Sequence, residues 1–141
     1  MTASEILKKT TPGDTLPTRP PDAVGEMKNS EGGIRIELWA GTGREAGEQA
    51  PDSVSVISAA RGTAFAGAEN DVYAKACAAV AAEALVGKPV PDVFRMSRAF
   101  CFYNVDDLPN DKIFFSPMCA EACAAAAARL AGGQHSAKQP L

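Results

Sequence analysis

The chain has 141 residues, of which 46% are hydrophobic and 22% charged, and its formal net charge at pH 7 is −3. This length suits one domain with one hydrophobic core, and the acidic balance argues against a general binder of nucleic acid or anionic membranes. No segment has the apolar core of a secretory signal, and no stretch approaches the roughly 20 apolar residues that cross a bilayer. We therefore expect a cytoplasmic protein whose cysteines are reduced thiols or metal ligands.

Residues 1–30 are predicted to form an extended or disordered N-terminal arm. A short helix fits Ser4–Lys9, but four prolines follow within Thr11–Asp22. Proline lacks a backbone N–H group and its ring fixes φ, so the run Pro17–Pro21 suits neither a helix interior nor a sheet. The folded domain is expected over residues 31–132.

Two short strands are predicted at the start of this domain. In Ile34–Ala40 every second residue is apolar, and a period of two is typical of a half-buried antiparallel strand. Ser53–Ser58 shows the same alternation, and residues 60–67 extend it by a few positions. The polar, glycine-containing segment 41–52 joins the two strands as a long hairpin connection.

Two alanine-rich helices are predicted after the strands, because the hydrophobic period then changes to about 3.6. The first covers Asn70–Gly87 with Asn70 as its N-cap, and the second covers Ser116–Gly132 with Ser116 as its N-cap. Residues 133–141 are expected to be a flexible tail. The elements together predict an α+β fold, a small antiparallel β-sheet with the alanine-rich helices packed on one face.

The four cysteines are the candidate chemistry of the chain, and they are Cys77, Cys101, Cys119 and Cys123. Three of them fall on the apolar stripes of the two helices, where cysteine is often a small buried hydrophobic residue. The same thiols are candidate ligands for a metal or an iron–sulfur cluster, or a reactive, persulfide-carrying cysteine. Their spacing matches no compact metal motif such as a Cys-x-x-Cys pair.

Two segments resemble the iron–sulfur cluster assembly scaffold family, the group related to the N-terminal domain of nitrogen-fixation scaffold proteins. Val80–Met96 (VAAEALVGKPVPDVFRM) is similar to the family's long helix, its Gly-Lys pair and the acidic turn after it. Lys112–Leu130 (KIFFSPMCAEACAAAAARL) is similar to its C-terminal helical segment. The resemblance spans roughly Met27–Leu130. It implies a small antiparallel sheet with helices and a role in cluster assembly.

The family holds its cluster, or a zinc ion, with three cysteines helped by an aspartate and often a histidine. Carrying those positions onto this chain places Ser30, Asp71 and Ser116 where the family has its cysteines. The aspartate falls near Gly32, and the histidine falls at Phe115. Serine hydroxyls stay protonated near neutral pH and bind soft metals weakly. A site moved to the four cysteines present is the remaining way for this chain to bind a metal or cluster.

Three functions therefore stand as hypotheses. The first is a divergent scaffold-like protein that binds or delivers a metal or an iron–sulfur cluster. The second is a non-catalytic protein-interaction module that has kept the fold and lost the metal site, using its loops or the aromatic segment Phe100–Phe115 to bind a partner protein. A small enzyme with a reactive cysteine is the third, and it ranks last because His135, the single histidine, lies in the polar tail. The oligomeric state is left open.

Overall fold

The structure, a computed structural model, describes residues 1–9, 16–42 and 55–136. This part of the chain contains four α-helices, three β-strands and two short 3₁₀ helices. The α-helices are α1 (Ala3–Lys9), α2 (Val72–Leu85), α3 (Phe100–Asn104) and α4 (Phe115–Ser136), the strands are β1 (Ala23–Asn29), β2 (Gly32–Thr42) and β3 (Ser55–Phe65), and the 3₁₀ helices are Val90–Arg95 and Asn110–Lys112.

The three strands form one antiparallel sheet in the order β1-β2-β3. On one face of β2 the side chains of Ile34, Ile36 and Leu38 are fully buried. The predicted period-two strand is therefore confirmed. The second strand spans Ser55–Phe65, which agrees with the predicted extension over residues 60–67, while Ser53 and Val54 lie outside the described residues.

Both alanine-rich helices lie on this one face of the sheet. Ile36 pairs with Gly25 on one side and with Gly62 on the other. A Cβ at Gly25 would lie 2.1 Å from the carbonyl oxygen of Ala122, and a Cβ at Gly62 would lie 2.0 Å from that of Ala78. The backbones of α4 and α2 thus rest directly on the two glycines, and the predicted α+β architecture is confirmed.

The expectation that residues 1–30 form an extended or disordered arm is wrong for β1. Ala23–Asn29 is an edge strand that pairs with β2 along its whole length. Its side toward the helices carries Ala23 and Gly25, which give almost no hydrophobic signal, because close packing against α4 requires small residues there. The short N-terminal helix is confirmed as α1, which buries Ala3 and Ile6. Residues 10–15 lie outside the described part.

The other face of the sheet carries charged residues and one buried aromatic. Glu37 is buried and accepts a 2.5 Å hydrogen bond from Arg61, with Arg35 3.5 Å away. Trp39 also points to this face but is buried, because the preceding segment lies over it and the carbonyl oxygen of Arg19 accepts a 2.9 Å hydrogen bond from its indole N–H. The hydrophobic core therefore has a small second part beneath residues 19–22.

The boundaries of the two main helices differ by a few residues from the prediction. The N-cap of α2 is Asp71 rather than Asn70, since the Asp71 carboxylate accepts hydrogen bonds from the N–H groups of Tyr73 and Ala74. Helix α4 continues through the predicted glycine stop to Ser136, so the tail expected over residues 133–141 begins as helix. A glycine inside a helix costs only about 1 kcal/mol, which does not end a long helix. Residues 137–141 lie outside the described part.

One stretch of the described chain, Asn110–Gly132, is long and apolar enough to cross a membrane, with a mean hydropathy of 1.3. It contains most of helix α4. More than half of that stretch, 56%, is buried inside the protein. It packs on β1, β2 and α2. Such burial and packing are typical of a helix in the core of a protein.

Candidate functional site

Three helices bring the four cysteines into the core. Cys77 comes from α2, Cys101 from α3, and Cys119 and Cys123 from α4. All four are free thiols with 0% of their surface exposed. The Cys101 thiol lies against α2 and donates a hydrogen bond of 3.4 Å to the backbone carbonyl oxygen of Cys77. The sequence places these two residues 24 positions apart, and the fold brings them into contact.

The thiols of Cys77, Cys101 and Cys119 form one interacting group, called here the thiol cluster. The neighbouring thiols of Cys101 and Cys119 lower the pKa of Cys77. The single proton of the Cys101 thiol is donated to the backbone carbonyl oxygen of Cys77. Cys123 lies apart from these hydrogen bonds, and burial alone raises its pKa to about 12.

The other two members of the thiol cluster are held in the protonated form. Burial, followed by the hydrogen bonds to Cys101 and Cys77, raises the pKa of Cys119 well above its ordinary value. For Cys101 the hydrogen bond from Cys119 lowers the pKa, but the hydrogen bond to Cys77 and burial outweigh it, and the net shift is upward. At neutral pH Cys101, Cys119 and Cys123 are therefore neutral thiols.

The structure does not arrange the candidate ligands as a metal site. Among residues 1–9, 16–42 and 55–136, no group of three or more His, Cys, Asp or Glu side chains has the arrangement that holds a metal ion. A thiolate site for zinc or iron needs several deprotonated sulfurs, and burial without a nearby cation opposes that charge. The thiol cluster fits a metal poorly in this conformation.

Of the three positions that the predicted resemblance places at the family's cysteines, Asp71 and Ser116 have structural roles here. Asp71 caps α2 and forms an ion pair with Lys112. Ser116 is buried, donates a 2.7 Å hydrogen bond to the carbonyl oxygen of Arg98 and accepts one of 3.1 Å from the N–H of Phe102. Ser30 is exposed in the turn between β1 and β2. The polar groups of Asp71 and Ser116 are therefore already engaged within the fold.

Asp71 and Lys112 shift the pKa values of each other. Burial raises the pKa of Asp71, but the hydrogen bonds from Lys112 and from the N–H groups of Ala74 and Tyr73 outweigh it, so the pKa is lowered. Asp71 is also the first cause of the raised pKa of Lys112, with smaller contributions from Asp111 and Glu31. The ammonium of Lys112 is therefore paired with Asp71 and is stabilised further by the charges of Asp111 and Glu31.

This arrangement predicts how stability depends on pH. Because the pKa of Asp71 is lower in the folded chain than in the unfolded one, its contribution is present above the unfolded value of about 4 and is lost as pH falls through the folded value. We expect Asp71→Ala to cost about 1–2 kcal/mol at pH 7 through the lost cap and ion pair. Urea unfolding at pH 7 and pH 3 measures this, and the difference from the wild type should shrink at the lower pH. Asp71→Asn, which keeps a capping side chain, is the control and should cost less.

The aromatic segment divides into a buried part and an exposed part. Phe115 is 1% exposed and belongs to the core, whereas Phe102 and Tyr103 on α3 are 43% and 74% exposed. Their rings meet edge to face with centroids 5.3 Å apart. Phe94, in the 3₁₀ helix before α3, is also exposed. Phe115 is therefore part of the core, whereas the α3 pair faces solvent.

Sequence reasoning missed two shallow grooves beside α2. One has a volume of about 300 Å³ and the other about 270 Å³, and both are lined by Ala84 and Phe100. Lys88 and Arg95 line the first groove, and Lys9 lines the second. The signal available in the sequence was weak, because these residues come from four separate helices and one connecting segment. The grooves hold no cluster of nucleophiles or metal ligands among their lining residues.

Neither protein-family profiles nor curated proteins contain a match to this chain, so its resemblance to the cluster assembly scaffolds stays a prediction.

Proposed function

We propose that this protein is a non-catalytic protein-interaction module whose binding surface centres on Phe102 and Tyr103. The observation that carries the proposal is a contrast in exposure. Every cysteine is fully buried, while two adjacent aromatic side chains on the short helix α3 face solvent. Exposed tyrosine and phenylalanine side chains are enriched at the centres of protein interfaces, where their burial supplies much of the binding free energy.

Helix α3 holds this aromatic pair in a fixed position. At its start, Ser116 ties the backbone of Arg98 and Phe102 to α4. Just beyond its end, Asp106 binds the N-terminal amine at 2.6 Å, and the Asp106 N–H donates to the carbonyl oxygen of Met1 at 2.8 Å. Between these ties the Cys101 side chain anchors the helix in the core. A surface fixed in advance loses less conformational entropy on binding, which supports tight association.

The ionisable groups support binding rather than chemistry. Asp71 and Ser116 stabilise the fold through hydrogen bonds to backbone groups. A cysteine nucleophile needs an exposed thiolate with a base or cation beside it, and the thiol cluster offers neither. We place this activity in the cytoplasm, where four free thiols persist without pairing.

A comparison of captured proteins tests this function. Tagged wild-type protein and the double variant Phe102→Ala/Tyr103→Ala are used to recover bound proteins from extracts of the source cells, with quantitative mass spectrometry. We expect a defined partner on the wild type and at least about tenfold less of it on the variant, since two aromatic contacts are together worth about 1.4 kcal/mol or more. Val86→Ala, which removes another exposed apolar side chain, is the matched control. Equal recovery on the wild type and the double variant would contradict the proposal.

The scaffold-like function, which binds or delivers a metal or iron–sulfur cluster, is a second candidate because the buried cysteines Cys77, Cys101 and Cys119 come from three helices, α2, α3 and α4, that pack on one another. Protein purified without oxygen can be assayed for iron, sulfide and zinc beside its four Cys→Ser variants. Bound metal that disappears on replacement of Cys77, Cys101 or Cys119 would favour this candidate over the first. A wild-type protein without metal would rule it out.

A further inference from the structure

The two edges of the sheet differ in how the rest of the protein covers them. Along β1 the Arg129 side chain of α4 donates a 2.9 Å hydrogen bond to the Val24 carbonyl oxygen. The same strand carries the exposed charged residues Glu26 and Lys28. Covering groups and charged side chains are the usual protection of an edge strand against pairing with another chain. The edge at β1 is therefore protected.

The edge at β3 is covered only near the start of the strand. The Ile57 N–H donates a 2.9 Å hydrogen bond to the carbonyl oxygen of Lys88, and the Ile57 carbonyl oxygen accepts one of 2.7 Å from the Gly87 N–H. An extended segment thus already lies in the position of a fourth strand there. No backbone group of the described chain hydrogen-bonds to the outer side of residues 59–64, called here the free edge.

The free edge lacks the features that usually prevent strand addition. It contains no proline or lysine, and Arg61 is its one charged residue. The irregularity in the pairing of β2 with β3 lies before it, opposite Trp39 and Ala40. In an antiparallel strand, alternate residues direct their N–H and C=O groups away from the paired neighbour. Those groups are available to the backbone of an incoming strand.

The charged face of the sheet determines which side chain an incoming strand should carry. Ion pairs run across this face from Glu26 through Arg35 and Glu37 to Arg61, so that opposite charges alternate. Arg61 ends this row on the edge strand, and 48% of its side chain is exposed. Opposite charges on directly paired residues stabilise neighbouring strands. A carboxylate opposite Arg61 would continue the alternation.

The position of α2 argues against a second copy of the chain as the occupant. The backbone of α2 rests on Gly62, so this helix lies directly over β3. In an antiparallel pair of two β3 strands, both α2 helices would lie on the same side of the joined sheet. They would be separated by about one strand spacing, roughly 5 Å, whereas packed helices need about 8–10 Å. A single extended segment brings no such helix.

We propose that the free edge binds an extended acidic peptide segment of a partner protein as a fourth strand of the sheet. Backbone hydrogen bonds hold the segment, and a carboxylate opposite Arg61 sets its register. The site contains neither Phe102 nor Tyr103. It is therefore a second binding surface, independent of the proposed function.

Selection of peptides tests this site. A library of random eight-residue peptides displayed on phage is selected on the wild-type protein and, in parallel, on Phe102→Ala/Tyr103→Ala. We expect the same acidic sequences from both selections. The most enriched sequence is then synthesised, and amide hydrogen exchange is measured with and without it. Alternate amides of the free edge should exchange rapidly in the protein alone and at least about tenfold more slowly with the peptide bound.

Substitutions test the role of the charge. Arg61→Gln should weaken binding of the synthetic peptide about threefold to fivefold, the range expected for a cross-strand ion pair. Arg35→Gln is the matched control, because it removes the other cation beside Glu37 and leaves the edge strand unchanged. Its dissociation constant should stay within about twofold of the wild type. Circular dichroism of each variant shows that the comparison is made on folded protein.

Modified peptides test the backbone pairing. Two versions of the synthetic peptide carry N-methyl groups on alternate nitrogens, one version on the odd positions and the other on the even ones. Only alternate N–H groups of a strand face its neighbour, so one version should lose binding and the other should keep it. Equal binding of both versions would contradict strand addition.

Three further outcomes would overturn the proposal. The selection on the wild type enriches no acidic sequence, the peptide protects amides outside the free edge, or Arg61→Gln and Arg35→Gln weaken binding equally. Peptides that are selected by the wild type and lost on Phe102→Ala/Tyr103→Ala would likewise overturn it, while supporting the proposed function. A dimer whose amides at the free edge are protected without peptide would show that a second copy is the occupant.

Discussion

Replacement of Gly62 by alanine is expected to cost at least about 3 kcal/mol in the free energy of unfolding, and Gly25→Ala should do the same. The added methyl group would lie 2.0 Å from the Ala78 carbonyl oxygen at Gly62 and 2.1 Å from that of Ala122 at Gly25. Backbone cannot move aside as a flexible side chain does, so α2 or α4 must lift from the sheet and open the packing around Ile36. Overpacking of a core typically costs 1–3 kcal/mol, and a contact with helix backbone lies at or beyond the upper end.

Gly132→Ala is the matched control for both variants. It makes the same chemical change on α4, but no atom lies within 4 Å of the added Cβ. Since alanine is the better helix former, this variant should keep or gain up to about 1 kcal/mol. Urea unfolding gives the midpoint and the slope of each variant. If Gly62→Ala stays within about 0.5 kcal/mol of the wild type, the helices do not rest on the sheet as described.

Replacement of Phe115 by alanine is the second large effect, with an expected loss of about 3–5 kcal/mol. Phe115 is among the largest fully buried side chains, and it stands at the first residue of α4. Phe114 is the control because it is adjacent, packs its ring 4.4 Å from that of Phe115 and is only partly buried. Phe114→Ala should cost clearly less than Phe115→Ala. The reverse order in thermal or urea unfolding would mean that α4 is rotated relative to the core from the position described.

The Phe115 result also bears on the resemblance to the scaffold family. In the predicted resemblance, the histidine that assists the family's cluster falls at this position, and a ligand side chain there would have to face the metal. A phenylalanine buried in the core does the opposite. A large loss of stability in Phe115→Ala therefore supports a structural use of the position that the family uses for a ligand.

The strongly periodic elements could be predicted from the sequence. Ile34–Ala40 and the two alanine-rich helices carry a complete apolar pattern. Ile34–Ala40 lies inside β2, and the predicted helices overlap α2 and α4 over most of their length. β1 could not be predicted in this way, because its inward positions Ala23 and Gly25 are small for steric reasons and give no hydrophobic period. Proline spacing then made the whole segment look irregular.

The candidate site depends on contacts between residues far apart in the chain. The approach of Cys101 to Cys77 arises when α3 packs between α2 and α4, and no local pattern encodes it. Likewise, Asp71 forms an ion pair with Lys112, which lies 41 positions further along the chain. The same carboxylate also caps α2. The predicted resemblance singled out Asp71 and Ser116, but the residues that they contact could be identified only from the fold.

The rate at which the four thiols react in the native protein tests the central claim most directly. The account holds that the cysteines are buried parts of the fold and that the function lies on the exposed surface of α3. A thiol-specific chromogenic reagent added to folded wild-type protein should react slowly with all four cysteines, and rapidly with all four once urea unfolds the chain. One cysteine that reacts at the rate of a free thiol while the protein remains folded would contradict the account.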